Sequence, residues 1–161
     1  METQLKQDHA AVRVFPPGVP LATILAGAGL QWLWPVSPGF ELAAPGRYWL
    51  GGLIVVSAIL VLGVWSIVLF RRSGQDANPW KSTPQIMEQG PYKVTRNPMY
   101  LHMVLVCIGF AIILWNVWIL LLTPICAWVL QRYAIEPEEA YLESKFGKAY
   151  LAYKRRVRRW I

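Results

Sequence analysis

Two groups of residues in this chain have the types and spacing that chemistry needs. The first precedes a long apolar stretch, where Arg96, Asn97 and Pro98 stand between two tyrosines. Asn followed by proline predicts a helix start, since Asn caps well and a proline at the first helical position loses no hydrogen bond. The free N–H groups and positive dipole end of such a helix can hold an anionic group, with Arg96 beside it. An ordinary helix cap with interfacial aromatic residues is the alternative.

The second group is the acidic pair Glu138 and Glu139. Glu139 falls on the apolar stripe of a predicted helix, where a carboxylate is costly to bury unless it is paired. We therefore expect a cation beside it, either Arg96, Arg132 or a bound cationic ligand. A structural salt bridge is the alternative to a catalytic role.

Together the two groups suit S-adenosylmethionine (SAM). A carboxylate or aromatic faces can hold its sulfonium cation, and a helix start can hold its carboxylate. Methyl transfer is an in-line displacement that depends on alignment more than on a strong base. The lack of a Ser/His/Asp set is therefore no objection.

The same residues carry a family resemblance. The stretch RNPMY from Arg96 to Tyr100, followed by E-E-x-x-L-x-x-x-F-G-x-x-Y-x-x-Y from Glu138, resembles the isoprenylcysteine carboxyl methyltransferase family. That family belongs with the phospholipid methyltransferases, and the resemblance covers about residues 76–160. It implies a membrane enzyme that uses SAM, yields S-adenosylhomocysteine, and closes its cofactor pocket with the C-terminal segment.

The resemblance also assigns roles to residues. Glu138 matches a glutamate near the substrate and Glu139 completes the pair. The catalytic candidates are Glu138, Glu139, Arg96 and Arg132. The implied cofactor contacts are Pro84, Gln85, Ile86, Met87, Tyr92, Asn97, Pro98, Met99 and Tyr100.

This chain departs from the family pattern twice. The eukaryotic enzymes usually carry His where Asn97 stands. They also carry an Arg four residues before the first glutamate, at the position of Ala134 here, and the nearest Arg is Arg132. The departures leave the cofactor site intact and put a prenylcysteine substrate in question.

The elements that must position these residues are membrane helices. Apolar residues make up 55% of the 161 residues, and Leu50 to Phe70 contains no charged residue. Such runs predict an all-α integral membrane protein. We expect about four transmembrane helices, near residues 19–36, 48–70, 98–115 and 117–133. A soluble helical bundle would need polar helix faces, which the second span lacks.

We expect one membrane domain over residues 1–161, with no cleavable signal peptide. Residues 1–18 are expected to be a flexible tail, and residues 71–97 a cytoplasmic cofactor-binding segment. Residues 135–160 show helical amphipathic spacing and predict a cytoplasmic helical segment that closes the site, with Gly147 as a point of division.

The net charge of +7 is explained by topology. Fifteen of the sixteen Lys and Arg residues fall on one side of a four-span arrangement, so both termini are expected in the cytoplasm. We expect the cytoplasmic (inner) membrane of a prokaryote. The basic run from Lys154 to Arg159 should attract anionic lipid, and nucleic acid is not expected as a partner.

Metal chemistry is not expected. Cys107 and Cys126 lie inside predicted spans without a neighbouring ligand cluster, so they are interpreted as packing residues. His102 also lies in a span and is interpreted as structural.

The methyl acceptor is expected to be a lipid or another small molecule that partitions into the membrane, with a carboxylate, amine or thiol as the reacting group. Two alternatives stay open. One is an NADPH-dependent enzyme resembling the membrane sterol reductases, and the other is a scaffold or transporter without catalytic activity.

Overall fold

The structure is a computed structural model that describes residues 8–40 and 42–161. The described residues form five helices and no strand, with one isolated parallel bridge between Thr95 and Arg158. A short 3-10 helix covers Gly90–Lys93. The five helices are α1 (Gly18–Leu33), α2 (Ala44–Arg72), α3 (Pro98–Ile113), α4 (Val117–Phe146) and α5 (Lys148–Arg156).

The all-helical prediction is confirmed, and two of the helices are candidate membrane spans. α2 and α4 are long and apolar enough to cross a bilayer. Only 17% and 33% of their most apolar stretches are buried inside the protein. A core helix of a soluble protein would be mostly buried. α1 and α3 are apolar but have 16 residues each, which corresponds to ~24 Å against a ~30 Å hydrocarbon core.

Small residues set the packing of the bundle. α3 lies at its centre and contacts α1, α2 and α4, while α1 also packs on α4. A Cβ on Gly51 of α2 would lie 2.6 Å from the carbonyl oxygen of Gly109 on α3, and one on Gly27 of α1 would lie 2.5 Å from Ile119 of α4. Such close backbone approach at small residues is typical of packing between membrane helices.

Residues 8–17, named here the N-terminal strap, are packed rather than loose. Ala10 and Val12 are buried in the same core cluster as Leu130 and Ile135 of α4. The expectation of a flexible tail through residue 18 therefore fails for residues 8–17, because their alternating apolar side chains have a surface to cover. Residues 1–7 lie outside the described residues.

A proline explains one attachment of the strap. α4 contains a π-helical segment at Gln131–Ile135. The apolar part of the helix ends there, and charged residues follow. Pro137 has no N–H, so the carbonyl of Tyr133 lacks the donor four residues later. The backbone N–H of Arg13 donates to that carbonyl at 3.0 Å and takes its place.

Gly147 divides the C-terminal region into two helices, as its position suggested. It separates α4 from α5 with a φ of +52°, and a Cβ there would meet no atom within 4 Å. The need for glycine is thus conformational rather than steric. Residues 148–161, named here the C-terminal cover, fold back until Arg158 lies beside Thr95.

Candidate functional site

Three adjoining cavities are lined mainly by the 71–97 segment, together with residues of α4 and of the C-terminal cover. An inner chamber of about 270 Å³ reaches from Glu138 to the strap. A middle chamber of about 40 Å³ lies under the C-terminal cover. An outer cleft of about 410 Å³ borders α2 and shares Ile86 and Met87 with the middle chamber. The inner and middle chambers share Phe70, Thr83, Tyr92, Arg96, Asn97 and Glu138.

Asn97 stands at the predicted helix start, but the expected side-chain cap is absent. Its amide nitrogen instead donates to the carbonyl of Arg159 at 3.1 Å, and α3 begins without a side-chain capping bond. The capping prediction was therefore wrong in mechanism. The side chain turns away because the backbone of residues 158–159 runs beside residues 95–96 and offers a carbonyl there.

Glu139 joins α4 to the C-terminal cover. Its carboxylate accepts from Arg96 Nη2 at 2.8 Å and from Arg159 Nη2 at 2.7 Å. Burial would raise the pKa of Glu139, but hydrogen bonds from Arg159 and Arg96 hold it below its usual range. Arg96 also donates to the carbonyl of Val157 at 2.7 Å. The predicted cationic partner is therefore Arg96, with Arg159 in addition.

Glu138 has a different environment from its neighbour. It is half-buried, lines both the inner and middle chambers, and accepts from the hydroxyl of Tyr100 at 2.8 Å. Burial raises the pKa of the Glu138 carboxyl, and the negative charge of Glu139 adds to the rise. The pKa values of the two adjacent carboxyl groups are thus shifted in opposite directions, and Glu138 is better suited to accept and release a proton.

The residues expected at a cofactor are divided among the three cavities. Tyr92 and Asn97 line both chambers, and Met99 and Tyr100 line the inner one. Ile86 and Met87 line the middle chamber and outer cleft, and Gln85 lines only the cleft. Pro84 is exposed and Pro98 is fully buried, and neither lines these cavities.

Arg132 lies away from the chambers. It is paired with Glu136 at 2.9 Å on an exposed surface. Ala134, at the position where the family has Arg, is completely buried in the core cluster beneath the strap. A long cationic side chain would not fit at that position without displacing the strap.

Several wall residues were not predicted from sequence. They include Phe15 of the strap and Trp80, which stack with ring centroids 6.5 Å apart. Arg159, a partner of Glu139 within a basic run, was not predicted either. The two aromatic residues carried one usable signal, because each is adjacent to a proline. In the described part of the chain, no group of three His, Cys, Asp or Glu side chains is placed to hold a metal ion.

Comparison with known proteins places this site in a family. The sequence model of the phospholipid methyltransferase family matches residues 41–149, well over half of the chain. The chain belongs to the phospholipid methyltransferase family. The matched region contains the helix start at Asn97, the Glu138–Glu139 pair and the break at Gly147. Membership of the family predicted from the two motifs is thereby confirmed, and it identifies a membrane methyltransferase.

Part of the chain is similar to a bacterial protein. A protein of Haemophilus influenzae described as uncharacterized is 41% identical over 63 residues, which is 39% of this chain and all of that protein. No solved structure matches the chain.

Proposed function

We propose that this protein transfers a methyl group from SAM to a lipidic or membrane-partitioned small molecule, with S-adenosylhomocysteine as the other product. The observation that carries the proposal is the position of Glu138, because this carboxylate lines both the inner and middle chambers and accepts a hydrogen bond from Tyr100 of the inner chamber. A reacting group in the inner chamber and a methyl donor in the middle chamber would meet beside this carboxylate.

The residues present fit SAM. Backbone and side chains of residues 85–87 border the outer cleft, where a polar heterocycle has room, and the half-buried Glu138 carboxylate and Tyr92 ring suit a sulfonium cation. The bound cofactor would supply a methyl group on a positively charged sulfur. Because the middle chamber holds only about 40 Å³, the C-terminal cover would have to shift outward to admit the cofactor.

Glu138 would act on the acceptor. Its carboxylate can accept a proton from the reacting group, and the hydroxyl of Tyr100 fixes its orientation through the 2.8 Å hydrogen bond. Glu139 would act indirectly, because both of its oxygens are held by Arg96 and Arg159. It keeps the cover closed over the middle chamber and is a positioning residue. Arg132 has no role in this scheme.

The charges around the inner chamber favour one acceptor type. Among the described residues that line it, Arg96 carries the one positive charge, and its guanidinium is taken up by Glu139 and two backbone carbonyls. Glu138 and Asp76 supply carboxylates, and a hydrogen bond from Lys81 lowers the pKa of Asp76. An amine is therefore a better acceptor here than a carboxylate, and a thiol is intermediate in suitability.

We further propose a four-span topology in the cytoplasmic membrane of a prokaryote, with both termini in the cytoplasm. α1 and α3 would span with help from flanking aromatic and strap residues. Arg155 and Arg158, both exposed, would attract anionic lipid. Reporter fusions after Arg72 and Ile161 should read cytoplasmic and one near Gly39 external. A cytoplasmic signal near Gly39 would contradict this topology.

The decisive experiment is incubation of the purified protein with methyl-labelled SAM and a membrane lipid extract, followed by identification of the labelled product. Binding of S-adenosylhomocysteine is measured in parallel. A labelled lipid product is expected. Binding of NADPH without S-adenosylhomocysteine would favour a reductase, and binding of neither would favour a scaffold or transporter.

A further inference from the structure

Part of the wall of the inner chamber comes from outside the region that the family model matches. Phe15, Pro16 and Pro17 of the N-terminal strap line the chamber, together with Trp80. The Phe15 and Trp80 rings are nearly parallel, at 7°. Since the family match covers residues 41–149, the strap's part of this wall lies outside the matched region, whereas Trp80 lies within it.

Hydrogen bonds hold the backbone of the strap in place, whereas the Phe15 ring is not part of the buried core. Trp80 Nε1 donates to the carbonyl of Val12 at 3.2 Å, and Arg13 donates to Tyr133. The Phe15 side chain itself is 65% exposed. Its ring therefore contributes little to the packing of the helices and is presented to the cavity by a backbone held elsewhere.

Phe15 also borders a second cavity. An apolar groove of about 500 Å³ lies between α1 and α4, bordered by Gly18, Val19, Leu122 and Ile125. Among the described residues, Phe15 is the one that lines both this groove and the inner chamber. The ring thus stands between a chamber with polar groups at one end and a groove suited to hydrocarbon.

We propose that Phe15 is a specificity-determining residue for the methyl acceptor, and that the groove between α1 and α4 receives the part of the acceptor's hydrocarbon chain that extends beyond the inner chamber. This inference rests on the proposed function. The Phe15 ring, held against Trp80, limits the chain length that fits with the reacting group at Glu138. Removal of the ring joins chamber and groove and relaxes that limit.

The test compares Phe15→Ala with a matched control, Phe40→Ala. Phe40 is 67% exposed and also pairs with a tryptophan, Trp115, at 5.2 Å, but it lines neither cavity. The full-length protein, loaded with SAM, is assayed with n-octyl and n-hexadecyl amines, acids and thiols. Where turnover is absent, Kd of the S-adenosylhomocysteine-loaded protein for the same compounds replaces kcat/KM.

In Phe15→Ala, the ratio of kcat/KM for the hexadecyl compound to that for the octyl compound should rise about tenfold or more. Each additional methylene that an apolar pocket can hold favours the longer compound. Affinity for S-adenosylhomocysteine should stay near wild type. Phe40→Ala should change neither quantity.

An unchanged ratio in Phe15→Ala, or an equal change in Phe40→Ala, would overturn the inference. A wild type that binds S-adenosylhomocysteine but neither methylates nor binds any member of the panel would overturn it as well, while leaving cofactor use intact. Failure to bind S-adenosylhomocysteine would instead contradict the proposed function.

Discussion

The two ends of the chain close the same set of cavities by different physical means. The C-terminal cover is held by a buried carboxylate: Arg159 of the cover pairs at 2.7 Å with Glu139, whose side chain is 6% exposed. Glu139 also pairs with Arg96, which donates to the carbonyl of Val157 in the cover. The buried hydroxyl of Tyr153 adds a hydrogen bond to the carbonyl of Tyr92 at 2.8 Å. The N-terminal strap is fastened near its start by exposed polar contacts, with Asp8 accepting from Lys145, Ser82 and Tyr141.

The contrast between buried and exposed contacts predicts that the two ends differ in how easily they are displaced. A buried ion pair is strongly destabilising when one partner is removed, whereas exposed pairs contribute little. Under the proposed function, the cover would close the cofactor side and would be costly to displace from Glu139. The strap would close the acceptor side, where the contacts of Asp8 are exposed and change at small cost, whereas Ala10 and Val12 stay buried in the core.

The largest effect is expected from Glu139→Gln. The substitution leaves Arg96 and Arg159 without their countercharge, so the free energy of unfolding should fall by ~3–5 kcal/mol. Thermal unfolding in detergent measures it. The control is Glu143→Gln, which breaks the Glu143–Lys154 pair between the same elements where both side chains are partly exposed, and which should cost about 1 kcal/mol or less. Equal losses in both variants would show that the cover is not held mainly by the buried Glu139 carboxylate.

Glu138→Gln should separate chemistry from packing. We expect kcat/KM for methyl transfer to fall by about tenfold or more, equivalent to ~1.4 kcal/mol, while Tm changes little. Glu136→Gln is the control, since Glu136 lies on the same helix and pairs with Arg132 outside the chambers. Wild-type turnover in folded Glu138→Gln would show that the carboxylate is not part of the active site.

Asn97→Ala tests the junction between cover and cofactor. Loss of the hydrogen bond to the Arg159 carbonyl should lower stability by ~1 kcal/mol or less, because that carbonyl keeps the hydrogen bond from the Thr95 hydroxyl. Binding of S-adenosylhomocysteine should weaken by more than this stability loss explains, since Asn97 lines both chambers. Titration calorimetry on Asn97→Ala beside Asn116→Ala gives the comparison. Asn116 caps α4 and contacts neither chamber.

The smallest effect concerns Asp8 and pH. A hydrogen bond from Lys145 lowers the pKa of Asp8 to about 2, from an ordinary value of 3.8. A lowered carboxyl pKa contributes stability that is present above the unfolded value and is lost as pH falls through the folded value. Pepsin cleavage within residues 8–17 should therefore increase between about pH 4 and pH 2, and the increase should be absent in Asp8→Asn. A pH-independent strap would contradict this.

Much of the architecture was predictable because apolar run length is a strong signal. The four predicted apolar segments each contain a helix, although α2 begins at Ala44 and α1 ends at Leu33, before Pro35. The family was predictable from two motifs. Their contact in the structure was only partly foreseen: Arg96 was one of three expected partners for Glu139, beside Arg132 and a bound cation, and Arg159 was not among them.

The strap was missed for a physical reason. A segment of ten residues that ends in two prolines and carries charge at Asp8 and Arg13 is too short and too broken for its alternation to stand out, so composition predicts a loose tail. Its order comes from partners far away in sequence, such as Trp80 and Tyr133, which no local pattern reveals. Asn97 illustrates the same limit, because its side chain prefers a distant carbonyl to its own helix.

The proline at position 137 has a consequence for the order of biosynthesis. Because it leaves the Tyr133 carbonyl to be satisfied by Arg13, a segment that is synthesised early waits for a partner that is synthesised about 120 residues later. The strap cannot dock until α4 has emerged from the ribosome, so the inner chamber lacks its strap wall until then. Truncation after α3 should therefore yield a chain in which residues 8–17 are loose.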